Sequence, residues 1–160
     1  MHASPFQRLI DEHASAVGAF LRGMLRPAEA EDALQETYLA ALRAYDRFDG
    51  ANPRAWLLTI ARRKAIDSAR AEKRRPDHLA APDEVPAGAG EVADADPEVW
   101  AAVAELPPKQ REAVVLRFAA DLRYREIGIA METSEAAARR NVHEAITKLR
   151  KSTIVEEVAR

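Results

Sequence analysis

At 160 residues, 48% apolar and 6% aromatic with a formal net charge of -2, the chain suits one domain or two small ones, and its alanine-rich apolar share predicts thinly filled helical cores. The absence of cysteine excludes disulfides, thiolate catalysis and cysteine-based zinc sites, and it suits a reducing cytoplasm. An apolar stretch such as Trp56 to Ala61, broken only by Thr59, is far short of the ~20 residues that span a bilayer, and the opening MHASPFQRLIDEH lacks the basic start and apolar stretch of a secretion signal.

In chain order, Phe6, Leu9, Ile10, His13, Val17, Phe20, Leu21 and Met24 recur at helical spacing. Pro27 ends that helix or opens the next. Ala30, Leu34, Tyr38, Ala41, Leu42 and Tyr45 mark a second amphipathic helix, which stops near DRFDGANP. Pro53 suits a helix first turn, and a third helix is predicted from there to about Arg75. The stretch PDHLAAPDEVPAGAGEVADADPEV has four prolines, two glycines and no helical apolar period, so it reads as a flexible linker. Beyond it, Pro107 and Pro108 open a helix with Val114, Val115, Leu116 and Phe118 as buried positions. YREIGIAM forms a short helix over Tyr124–Met131, Glu132 and Thr133 make a turn, and Ser134 suits the N-cap of a final helix. Two helices around so short a turn, the second basic, form the helix-turn-helix pattern. The fold class expected is all-α: two small helical domains, residues 1–76 and 99–160, joined by a flexible acidic linker over 77–98. The C-terminal domain is the helix-turn-helix.

Charge is distributed unevenly. Basic and acidic residues number five and eight over residues 1–50, eight and two over 51–76, none and eight over 77–105, and eleven and eight over 106–160. Two basic blocks therefore flank an acidic one. On the final helix, Ala138, Val142, Ala145, Ile146 and Leu149 share one stripe, the core face. Ala136, Arg139, Arg140, His143, Thr147, Arg150 and Lys151 fall largely opposite, with Ser134 at the helix start. A small N-terminal end lets a helix enter the major groove, where arginine bonds guanine O6 and N7 and threonine meets a thymine methyl. Arginines also solvate any exposed helix face, but the preceding short helix and turn favour the groove.

The third helix repeats the theme. Leu57, Leu58, Ala61, Ala65 and Ala69 form its apolar side, and Arg62, Arg63, Arg70, Lys73 and Arg74 cluster opposite. Phe48 and Asn52 lie in the loop before it, and Trp56 begins it. Cations beside aromatics suit single-stranded nucleic acid, where bases stack and phosphates need neutralising; Trp56 also has a plain reading as core. Asp32, Gln35 and Glu36, with Glu31, make the second helix acidic. They serve its dipole or a protein contact.

EDALQETYLAALRAYDRFDG followed by NPRAWLLTIARRKAID resembles the second conserved region of bacterial sigma factors of the sigma-70 class. LPPKQREAVVLRFAADLRYREIGIAM with SEAAARRNVHEAITKLR resembles their fourth. Nothing matches the intervening third domain or the first region, a layout similar to that of the extracytoplasmic-function (ECF) group. The resemblance implies a non-enzymatic, cytoplasmic protein without cofactor or metal, which binds core RNA polymerase and helps open promoter DNA. It implies that Asp32, Gln35 and Glu36 dock on the clamp helices of the polymerase β′ subunit, with the β subunit a further partner. It implies that Phe48, Asn52, Trp56, Arg62, Arg63, Arg70, Lys73 and Arg74 read the -10 element as single strand. Ser134, Ala136, Arg139, Arg140, His143 and Thr147 would read the -35 element in the major groove. The linker would thread toward the polymerase active-site cleft, and an anti-sigma factor is a common partner in the group. The chain departs from the pattern at Glu132, where the turn usually has glycine. It departs again at Glu135–Arg140, where a Val-Gly-Thr-Val-Lys-Ser run is commoner, and at Asn141 and Glu144, where basic residues are usual. Arg63 stands where asparagine is common.

The rival reading is a stand-alone helix-turn-helix regulator that binds duplex DNA without polymerase; the acidic linker and acidic second helix argue against it. An enzyme is disfavoured, because His2, His13, His78 and His143 are scattered singly and no glycine-rich phosphate loop is present.

Overall fold

Five of the seven α-helices among the described residues open on a proline: α1 (Pro5–Met24), α2 (Pro27–Ala44), α3 (Pro53–Arg74), α4 (Pro97–Ala104) and α5 (Pro108–Phe118). The proline ring presets φ, and its missing N–H falls where a helix has no acceptor for one. Helices α6 (Tyr124–Ala130) and α7 (Glu135–Ala159) complete the computed structural model, which describes residues 3–74 and 97–159, with side chains through Ser152. No strand occurs among these residues, in keeping with the all-α expectation. Most of the expected linker lies outside the described residues, and α4 begins at Pro97, two residues before the boundary drawn from sequence.

Helices α1, α2 and α3 pack against one another. Ser4 Oγ caps α1 by accepting from the Gln7 N–H at 3.1 Å. Val17, Phe20 and Leu21 from α1 meet Leu57 and Leu58 from α3, all fully buried. Alanines at positions 30, 33, 41, 55, 61 and 65 are buried on α2 and α3, and such small residues let helix backbones approach closely. Thr37, fully buried on α2, donates its hydroxyl to the Ala33 carbonyl at 2.6 Å, so no polar atom there is left unmet. Leu42 was expected in this core but is 55% exposed, and Leu39 beside it is 53% exposed. Position 42 follows a buried Ala41, and a helix turns 100° between them.

In the C-terminal half, α7 packs against both α5 and α6. Its predicted core stripe holds: Ala138, Val142 and Ala145 are fully buried, with Ile146 and Leu149 packed beside them. Phe118, expected to be buried, is instead 62% exposed at the end of α5. Helix α4 lies in a stretch with too few turns to show a period, yet it buries Trp100 and Val103. Gly128 on α6 is needed for the turn. A Cβ there would lie 3.1 Å from backbone atoms of Thr133, Ser134 and Glu135.

The two halves share one continuous core, with α3 against α6 and α1 against α5. Gly23 near the end of α1 makes the approach possible, since a Cβ there would fall 2.7 Å from Val115 Cγ1 and 3.2 Å from the Trp100 ring. Arg111 of α5 reaches across to donate to the carbonyls of Gly23 at 3.3 Å and Met24 at 2.8 Å. Those are the carbonyls that the C-terminus of α1 leaves exposed, where a cation is favoured.

Two outcomes test this packing. Gly128→Ala, crowding backbone rather than a flexible side chain, is expected to cost about 1–3 kcal/mol in denaturant unfolding. His13 is buried with its Nδ1 unpartnered. Burial lowers its pKa from the ordinary 6.5, opposed by Glu12 and Glu126 and reinforced by Arg54. The unfolded chain therefore holds the proton more tightly, so the stability tied to His13 is complete above pH 6.5 and is lost as pH falls from there through the folded value. Thermal midpoints measured across that window are expected to fall with pH in the parent chain and to flatten in His13→Gln.

Candidate nucleic-acid interface

The helix-turn-helix is built by α6, its turn and α7. The Arg123 N–H donates to Glu126 Oε1 at 3.0 Å and fixes the start of α6. At its end the Thr133 N–H bonds the Gly128 carbonyl at 2.8 Å and the Glu132 N–H bonds the Ile129 carbonyl at 3.1 Å. That bond pair is a Schellman motif, which requires a left-handed residue just past the helix. Glu132 supplies it with φ of 56°. The backbone that glycine usually adopts is thus present with glutamate in its place. Ser134 then caps α7, its Oγ accepting from the Ala137 N–H at 3.0 Å.

All six side chains expected to face duplex DNA are exposed on α7 or at its cap: Ser134, Ala136, Arg139, Arg140, His143 and Thr147. They differ in freedom. The Arg139 guanidinium lies 4.8 Å from the centre of the Tyr124 ring and 3.4 Å from Glu135. Arg117 approaches the same ring at 5.2 Å. Thr147 returns its hydroxyl to the His143 carbonyl at 3.0 Å. Arg140 borders a cleft of about 480 Å³ with Arg62, Lys109, Glu132 and Glu144.

The second cluster centres on α3. Asp49 Oδ1 accepts from the Ala51 N–H at 2.9 Å, and Gly50 and Asn52 both take positive φ, 85° and 46°. Asn52 then caps α3, its Oδ1 accepting from the Ala55 N–H at 3.2 Å. Asparagine tolerates this backbone because its amide bonds locally. Phe48 and Trp56 stack on each other with centroids 4.2 Å apart and planes 23° from parallel. Phe48, Asn52 and Trp56 are therefore one partly exposed aromatic corner.

The five cations predicted to cluster on α3 do not form one free arc. Arg70, Lys73 and Arg74 are exposed. Arg62 is turned into the seam, where its Nε sits 2.8 Å from Glu112 of α5 with side chains 14% and 7% exposed. Its Nη1 is 3.8 Å from Glu132. Arg63 pairs with Glu132 through Nη2 and, at 3.4 Å, through Nε. This hydrogen bonding holds the Glu132 carboxyl below its ordinary value and raises the pKa of Arg63. Arg54 and Thr59 also reach across, to the carbonyls of Asp121 at 3.4 Å and Ile129 at 3.5 Å. Sequence reasoning missed this engagement. The traces it left were glutamate at a glycine position and Arg63 at a position where asparagine is common.

The energetics of Glu132 are lopsided. A left-handed residue other than glycine costs about 1–2 kcal/mol. The pair with Arg63 is about half exposed on both sides, 58% and 48%, and such pairs return about 0–1 kcal/mol. Local stability would favour glycine.

On α2, Asp32, Gln35 and Glu36 are all exposed. Leu39 and Leu42 continue the same face and are also exposed. No group of residues suited to hold a metal occurs among the described residues, and no described helix is long and apolar enough to cross a membrane.

Comparison with known proteins agrees with this geometry. Residues 9–75 match the family Sigma-70 region 2, and residues 97–149 match Sigma-70, region 4. The RNA polymerase sigma factor CarQ of Myxococcus xanthus is 34% identical over 91% of this chain and 87% of its own. The ECF RNA polymerase sigma factor ShbA of Streptomyces griseus subsp. griseus is 37% identical over 75% of this chain and 69% of its own. Among solved structures, the sigma factor RpoE of Bartonella quintana, in complex with the anti-sigma factor NepR, superposes with a TM-score of 0.80 at 25% identity, covering 93% of this chain and 96% of that one. With both conserved regions in order on one chain, and each carrying its basic helix, the chain belongs to the ECF group of RNA polymerase sigma factors, which bind core polymerase and direct it to particular promoters.

Proposed function

We propose that the two halves divide the work, with no catalysis of their own. Residues 1–76 hold core polymerase and the -10 element, and residues 99–160 hold the -35 element. The observation that carries this reading is the outward face of α7, where a small, serine-capped N-terminal end leads into Arg139, Arg140, His143 and Thr147. Such a helix fits the major groove of duplex DNA.

The aromatic corner of Phe48, Asn52 and Trp56 holds unstacked bases of the -10 element, and Arg62, Arg63, Arg70, Lys73 and Arg74 meet its phosphates. The face of Asp32, Gln35 and Glu36, extended by Leu39 and Leu42, docks on the polymerase β′ clamp helices. Exposed apolar side chains beside acidic ones give such a contact an anchor. The β subunit is a further contact. An anti-sigma factor is an inhibitory partner, as the RpoE–NepR complex supports. The setting is the cytoplasm. A stand-alone regulator has no use for the α2 face.

The test is transcription with purified core polymerase on fragments of the source genome. Promoter-specific transcripts are expected; output no higher than with core polymerase alone, on every fragment, would overturn the reading. On a promoter so identified, the two arginines are expected to behave differently. Arg140→Ala should cost about 1–3 kcal/mol and relax preference at one base pair. Arg139, already held by Tyr124 and Glu135, is a phosphate contact, so Arg139→Ala should weaken binding evenly across sequences. Competition binding against a library of single-base variants separates the two.

A further inference from the structure

The α3 cations face two anions from the other half of the same chain. Glu112 meets Arg62 at 2.8 Å, and Glu132 meets Arg63 and lies 3.8 Å from Arg62. A carboxylate accepting from an arginine fork uses the same donors that a phosphate oxygen would use. Glu112 and Arg62 are nearly out of solvent, so Arg62 cannot serve a phosphate without first giving up its partner. Glu132 occupies a left-handed position that glycine would fill with less strain, and its side chain is spent on Arg63. The seam around these pairs is specific. Gly23 leaves room for Val115 and Trp100, and Arg111 is tied to the end of α1.

We propose that Glu112 and Glu132 act as built-in phosphate mimics that mask the Arg62–Arg63 portion of α3 from single-stranded DNA while the two halves are docked. The mask rests on the reading of α3 as the single-strand binding helix. Closure and DNA compete for the same guanidiniums, so the free chain binds single strands weakly. Separation of the halves exposes Arg62 and Arg63 together. Helix α7 keeps its outward face in the docked form, so the mask acts on one DNA site and leaves the other open. A ligand that requires a minor conformation loses apparent affinity in proportion to the population of that conformation.

The test uses the full chain without polymerase, with a fluorescein-labelled single-stranded oligodeoxynucleotide of mixed sequence read by anisotropy and with small-angle X-ray scattering for separation of the halves. Glu132→Gly removes one mimic and suits the turn. Gly23→Ala pries the seam open through Val115 and Trp100 and changes no charge. Asp46→Asn with Glu105→Gln, both exposed and neither paired with Arg62 or Arg63, removes negative charge only. Circular dichroism confirms that each variant is folded. Glu132→Gly and Gly23→Ala are each expected to bind about tenfold more tightly than the parent, Gly23→Ala with a larger radius of gyration. The charge control should show no such gain, and adding Arg62→Ala with Arg63→Ala should abolish it. If neither variant gains affinity while Arg70→Ala with Lys73→Ala weakens binding in every background, α3 binds DNA but is not masked, and the proposal falls alone. An equal gain in the charge control also overturns it, as a bulk electrostatic effect. If no substitution on α3 changes binding in any background, the reading of α3 itself fails and takes the mask with it.

Discussion

The pair between Arg62 and Glu112 governs how the two halves of the chain meet. Both side chains are almost fully removed from water, and a buried charge without its partner is far more costly than a matched pair is favourable. The halves can therefore dock with the pair made or separate with both charges hydrated. Intermediate positions that bury one charge alone are excluded. Around this pair the rest of the seam falls into place: Arg111 on the carbonyls of α1, the missing side chain at Gly23, and Glu132 on Arg63. Helix α3 consequently serves two surfaces, with its leucines and alanines building the N-terminal core and Arg62 and Arg63 belonging to the seam.

This division separates the two proposed DNA-facing surfaces in kind. The α7 surface is formed by a turn, a cap and a core stripe that lie within the C-terminal half, so it is complete in the docked form. The α3 surface is complete only in part, with the Phe48–Trp56 corner and the later cations accessible and Arg62 and Arg63 engaged.

Much of this was legible beforehand. The helix starts were written in proline, the turn in Glu132–Thr133, and the α7 core stripe in its period. The exposure of the α7 candidates followed from the same period. Errors fell where one residue decides the face. Leu42 and Phe118 sit at helix positions beside buried neighbours, and only packing shows that they point outward. Helix α4 was missed because eight residues contain barely two turns. The expectation of two small helical domains did not say how they touch, because alanine-rich helices show little in sequence about which neighbour covers them.

By itself the sequence determined the local structure and the chemistry of each surface: where helices begin, which stripe of α7 is apolar, and that cations gather on α3 and α7. These are properties of neighbours along the chain, set by backbone preference and by a fixed helical period. Tertiary structure alone decided the partners. Whether Arg62 meets water, a phosphate or Glu112 depends on residues fifty positions away, and whether Glu132 is a poor glycine or the partner of Arg63 depends on the seam. Coulomb attraction and desolvation act through space, and the chain's order carries no record of which distant charges the fold brings within reach.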